Sequence, residues 1–262
     1  MKPTRTASKP GTAAAPTPGT AAAPTPGRAA APRVPTHQKT AQQIPTAHLP
    51  QAADVGTRGA AALPGGRIPR DFFRRDPVTC ARELIGCELV WNGCAGLIVE
   101  TEAYAALGDE ACHTFARPSA RDFIARHPAG TAYVYFNYGM YWLLNVLVKG
   151  GPADGFVLLR AIEPTRGLDT MTARRNAGRK SPITQPHALC SGPGKLCIAL
   201  SIDGRDHGRD LCAAPGLGFH RPAAPVEVVT DVRIGISRAT HLPWRFLARE
   251  SLHVSVKPTA DR

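Results

Sequence analysis

The sequence predicts an α+β fold: one domain with a curved, largely antiparallel β-sheet, surrounding helices and a protruding β-hairpin. Three observations predict it. Asn92-Gly93 sits between two short apolar runs, Cys87–Trp91 and Ala95–Thr101, and Asn-Gly in that setting is the strongest short-range hairpin signal. A second hairpin pattern joins Ala132–Phe136 to Tyr141–Val148 across a turn at Asn137–Met140. Helix signals fall between and after these strands, a mixture that suits helices packed around an antiparallel sheet.

Taken in order, the chain starts with a segment that offers little to a core. The octad Gly11-Thr12-Ala13-Ala14-Ala15-Pro16-Thr17-Pro18 recurs from Gly19 to Pro26, and a variant begins at Gly27. Ala, Pro, Thr and Gly bury too little apolar surface to offset chain entropy. Residues 1–66 are therefore expected to be a disordered basic tail, with residues 67–262 forming the domain. Asp76 is placed to cap a first helix, Pro77 suits its first position, and Gly86 is placed to end it. The hairpin around Asn92-Gly93 follows and puts Glu100 and Glu102 on its second strand or just beyond it. Residues 105–130 read as an irregular polar loop. After the second hairpin, Phe156–Ile162 reads as a strand and Leu168–Ala177 as a helix ending in a basic cluster. Ser191 is expected to cap a helix entered through Pro193 and running to about Leu200. Val226–Thr230, Arg233–Ile236, Trp244–Ala248 and Leu252–Val256 complete a β-rich second half.

Charge and cysteines bound the function. The formal net charge is +12, and residues 1–60 hold seven Lys/Arg against one acid, so both parts of the chain are basic. That excess suits a polyanion, because phosphate contacts dominate nucleic-acid affinity, although charge alone fits any soluble basic protein equally well. No apolar run reaches the roughly 18 residues of a membrane-spanning helix, so no membrane association is expected. The seven cysteines form no Cys-x-x-Cys pair, which argues against a zinc ribbon. Reduced thiols and a cytoplasmic setting are expected, with no metal and no cofactor.

The chemistry-bearing residues crowd between Val99 and Asn145. Glu100 and Glu102 are two apart on a strand and so share a face, and periodicity cannot choose between them. Either carboxylate at an apolar strand end could act as a general base toward water, or simply form a salt bridge. His113 alone reads equally as a hydrogen-bonded loop histidine. Tyr133, Tyr135, Tyr138 and Tyr141 could be ordinary strand aromatics. Tyr138 is the exception, since a bulky ring at a hairpin tip beside Gly139 has little core to join and suits a wedge in a base stack. Ser191-Gly192-Pro193-Gly194-Lys195 fails the phosphate-loop pattern, because Leu189 stands where a glycine is required. Backbone amides at that helix start could still hold one phosphate.

Together these segments resemble the alkyladenine (3-methyladenine) DNA glycosylases, the methylpurine glycosylases. The matching pieces are Ile98–Tyr104, Asp109–His113, Tyr133-Val134-Tyr135, Tyr138–Tyr141, Asn145, Val157–Pro164, Leu189–Cys197 and Arg209-Asp210-Leu211, in order from about Asp71 to Val256. The resemblance implies a monofunctional hydrolase that flips alkylated or deaminated purines out of double-stranded DNA and starts base excision repair. It makes Glu102 the general base, with Arg160 and the backbone carbonyl of Ile234 holding the attacking water. Tyr104 would stack on one face of the flipped base, His113 and Tyr135 on the other. Asn145 would crowd the 2-amino group of a normal guanine, and Tyr138 would fill the gap in the duplex. Met140, Tyr141, Ser119, Arg121, Gly192 and Lys195 are the implied backbone contacts. A monomer is expected, cytoplasmic and nucleoid-associated, or nuclear in a eukaryote.

One segment departs from the family pattern. Arg117-Pro118-Ser119-Ala120-Arg121-Asp122 stands where the family shows Thr-Pro-Arg-Asn, so Asp122 puts an anion in place of an amide. It would either weaken phosphate binding or pair with Arg121. Two other classes of function compete. A non-catalytic damaged-DNA binder needs no water-positioning base. A glycoside hydrolase needs its carboxyls on opposite faces of the bond, about 5–9.5 Å apart, which adjacent residues on one face serve poorly.

Overall fold

The computed structural model describes residues 65–150 and 153–259. The tail expected over 1–66 lies outside the described residues, apart from Gly65 and Gly66. Helix α1 (Pro77–Glu83) starts as its sequence dictates: the Asp76 carboxylate accepts the Thr79 backbone N–H at 2.8 Å, and Pro77 fills the first position. Gly86, at φ +84°, then turns the chain into strand β1 (Glu88–Trp91). Trp91 pairs with Cys94 at the start of β2 (Cys94–Ala105), which leaves only Asn92 and Gly93 in the turn, both at positive φ. That is the backbone a two-residue hairpin needs to match strand twist.

Six further strands follow: β3 (Ala132–Asn137), β4 (Tyr141–Val148), β5 (Gly155–Arg166), β6 (Leu217–His220), β7 (Val228–Asp231) and β8 (Arg245–Ala248). They join in the order β3-β4-β5-β2-β1-β6, with β8 on β2 and β7 on β8, and every strand pairing is antiparallel. The sheet curls into a half-barrel. Strand β2 is its centre. Its first residues pair with β1, while Glu100, Thr101 and Glu102 pair with β8, and β5 runs along its other side. Both glutamates are therefore enclosed by backbone on two sides and are fully buried.

The β2–β5 ladder is irregular where it matters. Ile98 faces Ile162, Glu100 faces Ala161, and Thr101 faces Leu159. Val99 on β2 and Arg160 on β5 are each left over, so two bulges sit back to back. A bulge kinks its strand and re-aims a side chain. Here the kink brings the Arg160 guanidinium to both glutamates at once.

The core lies under this sheet, where α1 and helix α5 (Pro193–Leu200) bring Leu84, Leu196 and Cys197 against Ile98, Leu144 and Leu159. All seven cysteines are free and six are buried. Burial pushes the Cys80 and Cys190 thiols up to about 12, so they behave as small apolar groups and not as nucleophiles.

Several local expectations are corrected. Residues 105–130 are not all loop, for they contain α2 (His113–Ala116) and α3 (Pro118–Arg126). Pro118 opens α3, and Ala120, Phe123 and Ile124 bury one narrow face, a stripe too short to stand out among polar neighbours. Helix α4 (Leu168–Asn176) forms as expected. Helix α5 also forms, but Gly192 at φ +143° is its cap and Ser191 makes no capping bond. Strand β6 was not anticipated; four residues including Gly218 carry too little alternation to register. Neither Arg233–Ile236 nor Leu252–Val256 is a strand. In both, polar groups are satisfied by distant side chains instead of a neighbouring strand.

Candidate active site

A cavity of about 650 Å³ opens beside the β3–β4 hairpin, within the roughly 300–1,000 Å³ usual for small-molecule sites. Its floor includes Tyr104, Arg160 and Ile234, and these three are the partners of Glu102. The Tyr104 hydroxyl donates to Glu102 Oε2 at 2.7 Å, the Ile234 backbone N–H donates to Oε1 at 2.7 Å, and Arg160 Nη1 lies 3.2 Å from Oε2. Glu102 itself is sealed just beneath that floor. A carboxylate has about four lone-pair sites, so these two hydrogen bonds and the ion pair leave acceptor capacity for a water molecule. Burial raises the Tyr104 pKa well above the ordinary phenol value, and the Glu102 charge and hydrogen bond raise it further, so the hydroxyl remains a donor. Burial works against the Arg160 charge, but Glu102 and Glu100 outweigh it and hold its pKa above the usual arginine value.

The walls are aromatic. Tyr104 stands on one side, and the Arg233 guanidinium lies 4.6 Å from its ring centre. His113 and Tyr135 stand together with ring centres 4.3 Å apart. Behind them Tyr133 stacks on Phe156 at 4.4 Å, and its hydroxyl lies 3.0 Å from His113 Nδ1. Burial, with Arg117 adding to it, lowers the His113 pKa to about 4, so the imidazole is neutral at physiological pH. Asn145 is buried in the lining, its amide donating to the Tyr133 carbonyl at 3.2 Å. The lining carries Arg117, Arg160, Lys195 and Arg238; Arg160 is paired with Glu100 and Glu102 beneath it, and Arg238 with Glu110 at 3.4 Å.

At the mouth, apolar side chains face water. Tyr138 is 80% exposed and Met140 63%, with Phe136 and Tyr141 also exposed. Tyr138 adopts φ +49° and Gly139 +67°, so the tip is a tight turn that projects its tyrosine outward. Opposite it, the start of α5 presses on Tyr141. A Cβ at Gly194 would come within 2.7 Å of that ring, so only glycine fits there.

Known proteins point the same way. Residues 71–252 match the model of the methylpurine-DNA glycosylase (MPG) family. The chain belongs to that family. It is 41% identical over 209 residues to a protein of Rhodopseudomonas palustris, covering 80% of this chain and 96% of the relative. It is 44% identical over 197 residues to one of Rhizobium etli, covering 75% and 92%, and 42% identical over 178 residues to one of Nitrosospira multiformis, covering 68% and 88%. All three are named "Putative 3-methyladenine DNA glycosylase". Family membership makes the chain a DNA glycosylase, a hydrolase of N-glycosidic bonds whose substrate is damaged DNA.

In this glycosylase the residues singled out from sequence divide into groups. Tyr104, His113, Tyr135, Asn145, Arg160, Ile234, Tyr138, Tyr141, Gly192 and Lys195 line one cavity, and Glu102 lies directly under it. Met140, Ser119 and Arg121 are exposed outside the lining. The Arg121 guanidinium donates to the Thr114 carbonyl. Asp122 pairs with Arg126 at 3.6 Å, one helical turn on, and not with Arg121. Among the described residues no cluster of three or more His, Cys, Asp or Glu could hold a metal ion, and no helix is long and apolar enough to cross a membrane.

Sequence reasoning missed the groups that hold these residues in place. Arg233 and Asp109 form a buried two-pronged ion pair at 2.6 and 2.9 Å, and Arg233 also donates to the Ala103 carbonyl at 2.9 Å. That pair pins the segment carrying Ile234 against the strand carrying Glu102 and Tyr104. Its partners are 124 residues apart, so no local pattern announces them. Arg245 and Ser255, both bonded to Glu100, were missed for the same reason.

Proposed function

We propose that this glycosylase flips single alkylated or deaminated purines from duplex DNA and releases them by water attack, without cutting the strand. The observation that carries the reading is the Glu102 carboxylate, held by two hydrogen bonds and the Arg160 ion pair beneath an aromatic cavity. Glu102 takes a proton from a water that Arg160 and the Ile234 carbonyl help hold. The water oxygen bonds to the sugar C1′ as the bond from C1′ to the purine nitrogen breaks. The purine leaves with the bonding pair, through an oxocarbenium-like state. A water nucleophile forms no Schiff base, so an abasic site is the product.

The walls favour such bases. Extrusion costs about a few kcal/mol, least for damaged or mispaired bases, and stacking returns about 1–3 kcal/mol per base. Tyr104 faces one side of the ring, His113 and Tyr135 the other. A neutral His113 imposes no repulsion on a purine carrying formal positive charge, and electron-rich rings attract it. Neutral bases such as hypoxanthine need protonation as they leave. Asn145 crowds the 2-amino group of a normal guanine, a penalty that the easier departure of a positively charged 7-methylguanine offsets. Tyr138 fills the gap in the stack, while Met140, Tyr141, Ser119, Arg121, Gly192 and Lys195 contact the sugar-phosphate backbone. The substrates are 3-methyladenine, 7-methylguanine, hypoxanthine and ethenoadenine. The protein acts as a monomer in the cytoplasm, at the nucleoid.

The test uses the purified full chain and duplexes carrying one hypoxanthine or ethenoadenine, alongside methylated DNA. Strand scission at the lesion only after hot alkali, and its absence in Glu102→Gln, is the expected result. Scission without alkali would overturn the monofunctional mechanism. Tight lesion binding with no base release on any substrate would leave a damage-recognition protein instead.

A further inference from the structure

The floor of the cavity rests on a second layer that involves the end of the described chain. Glu100 does not face the cavity. It accepts from Arg160 Nε at 3.0 Å and from Arg245 Nε at 2.8 Å, and Ser255 caps it twice, by its backbone N–H at 2.5 Å and its hydroxyl at 2.8 Å. The Ser255 hydroxyl also accepts from Arg160 Nη2 at 3.3 Å. One hydroxyl thus gives its proton to Glu100 and a lone pair to Arg160, which satisfies both ends. Three positions of the Arg160 guanidinium are thereby held: Nε by Glu100, Nη2 by Ser255 and Nη1 by Glu102.

The arginine needs such a clamp. It is the extra residue of a bulge on β5, so its backbone lacks the regular partner that would otherwise aim it. Its two carboxylate partners compete for the same cation, and movement toward Glu100 draws it away from Glu102. The segment that carries Ser255 is not a strand but a strap, tied down at its far end. Arg245 donates to the Val256 carbonyl, and the Thr259 N–H and hydroxyl donate to Asp231 at 2.8 and 2.9 Å. Ser255 and Thr259 both lie past residues 71–252, the stretch that matches the family.

We propose that Ser255 is a positioning residue for base release: its hydroxyl, delivered by the C-terminal strap, fixes Arg160 between Glu100 and Glu102. The inference rests on the proposed roles of Glu102 and Arg160. Ser255 touches no cavity surface, so its effect falls on the chemical step and not on DNA affinity.

The experiment compares wild type, Ser255→Ala, Ser255→Thr and Thr259→Ala as full chains on a hypoxanthine duplex. It reads the single-turnover release rate, the Kd for lesion DNA and the melting temperature. Ser255→Ala is expected to slow release by about 10- to 100-fold, the scale of a misplacement near 1 Å, with Kd within about twofold. Ser255→Thr keeps the hydroxyl and is expected to restore most of the rate. Thr259→Ala loosens the strap that delivers Ser255, so it is expected to lower the melting temperature and to slow release less than Ser255→Ala does. Wild-type release by Ser255→Ala overturns the proposal, as does equal slowing in the alanine and threonine variants. A Ser255→Ala chain that fails to fold also overturns it, since the hydroxyl would then hold the fold and not the arginine. If wild type itself releases no base while binding lesion DNA, the functional reading fails first, and that result is distinct from all of these.

Discussion

Strand β4 starts from a hairpin tip that faces water, while its neighbour β5 and the next strand, β2, carry buried charges. At the tip, Tyr138 and Met140 are exposed with no core to join. In and beneath the floor, Glu100, Glu102, Arg160 and Arg245 are buried, and each charge has an opposite charge within 3.2 Å. The fold accounts for neither arrangement by itself. An apolar core would be simpler than buried ions, whose desolvation often outweighs their attraction, and a polar tip would be simpler than an exposed tyrosine. The two departures adjoin a single cavity, which marks the site where a substrate supplies what the protein alone lacks.

The comparison can be broken at either end. The largest effect is expected from Glu102→Gln, with base release falling by about 10²- to 10⁴-fold, the usual share of a general base. Retained lesion binding in a gel-shift titration would separate that loss from misfolding. Unchanged turnover would move the catalytic role away from Glu102.

Next comes the buried pair that braces the floor. Asp109→Ala leaves the Arg233 guanidinium buried and unpaired, so unfolding by urea should show a loss of about 3–5 kcal/mol. A loss below 1 kcal/mol would mean that this ion pair does not hold the two segments together.

Tyr138→Ser sharpens the contrast. Its ring is exposed, so stability should change by no more than about 0.5 kcal/mol, while duplex processing should weaken by about 1–3 kcal/mol, the worth of one stack. Equal excision by both proteins would remove the wedge.

The smallest effect concerns His113. Its folded pKa near 4 lies below the unfolded value of 6.5. The unfolded chain therefore binds the extra proton first as pH falls. The stability that His113 contributes is full above about 6.5 and is lost as pH falls toward 4. Nuclear magnetic resonance titration of the imidazole should find it neutral from pH 5 to 8. A midpoint near 6.5 would show that the ring is solvated and does not form a dry wall.

Legibility followed the range of each interaction. The Asp76 cap, the Asn92-Gly93 turn and the β3–β4 hairpin could be read because their causes lie within four residues. Helix α3 could not, since three buried side chains in nine residues make a weak stripe, and β6 is shorter still. The cavity residues were legible through motif order, which pointed to Glu102 and Arg160 where strand periodicity could not choose. Asp122 shows the limit of such reading: its partner is Arg126, one helical turn on, in a segment whose polar sequence reads as loop.

The sequence by itself determined the local elements, the basic character and the set of residues that could do chemistry on a base. Only the tertiary structure decided which groups meet. Glu100 and Glu102 share a strand face, yet one is bound to Arg245 and Ser255 and the other to Tyr104 and the Ile234 amide. That split comes from two bulges and from chain segments more than 130 residues away. Local periodicity reports the sterics of neighbouring residues, whereas an ion pair across the fold depends on the register in which distant strands close.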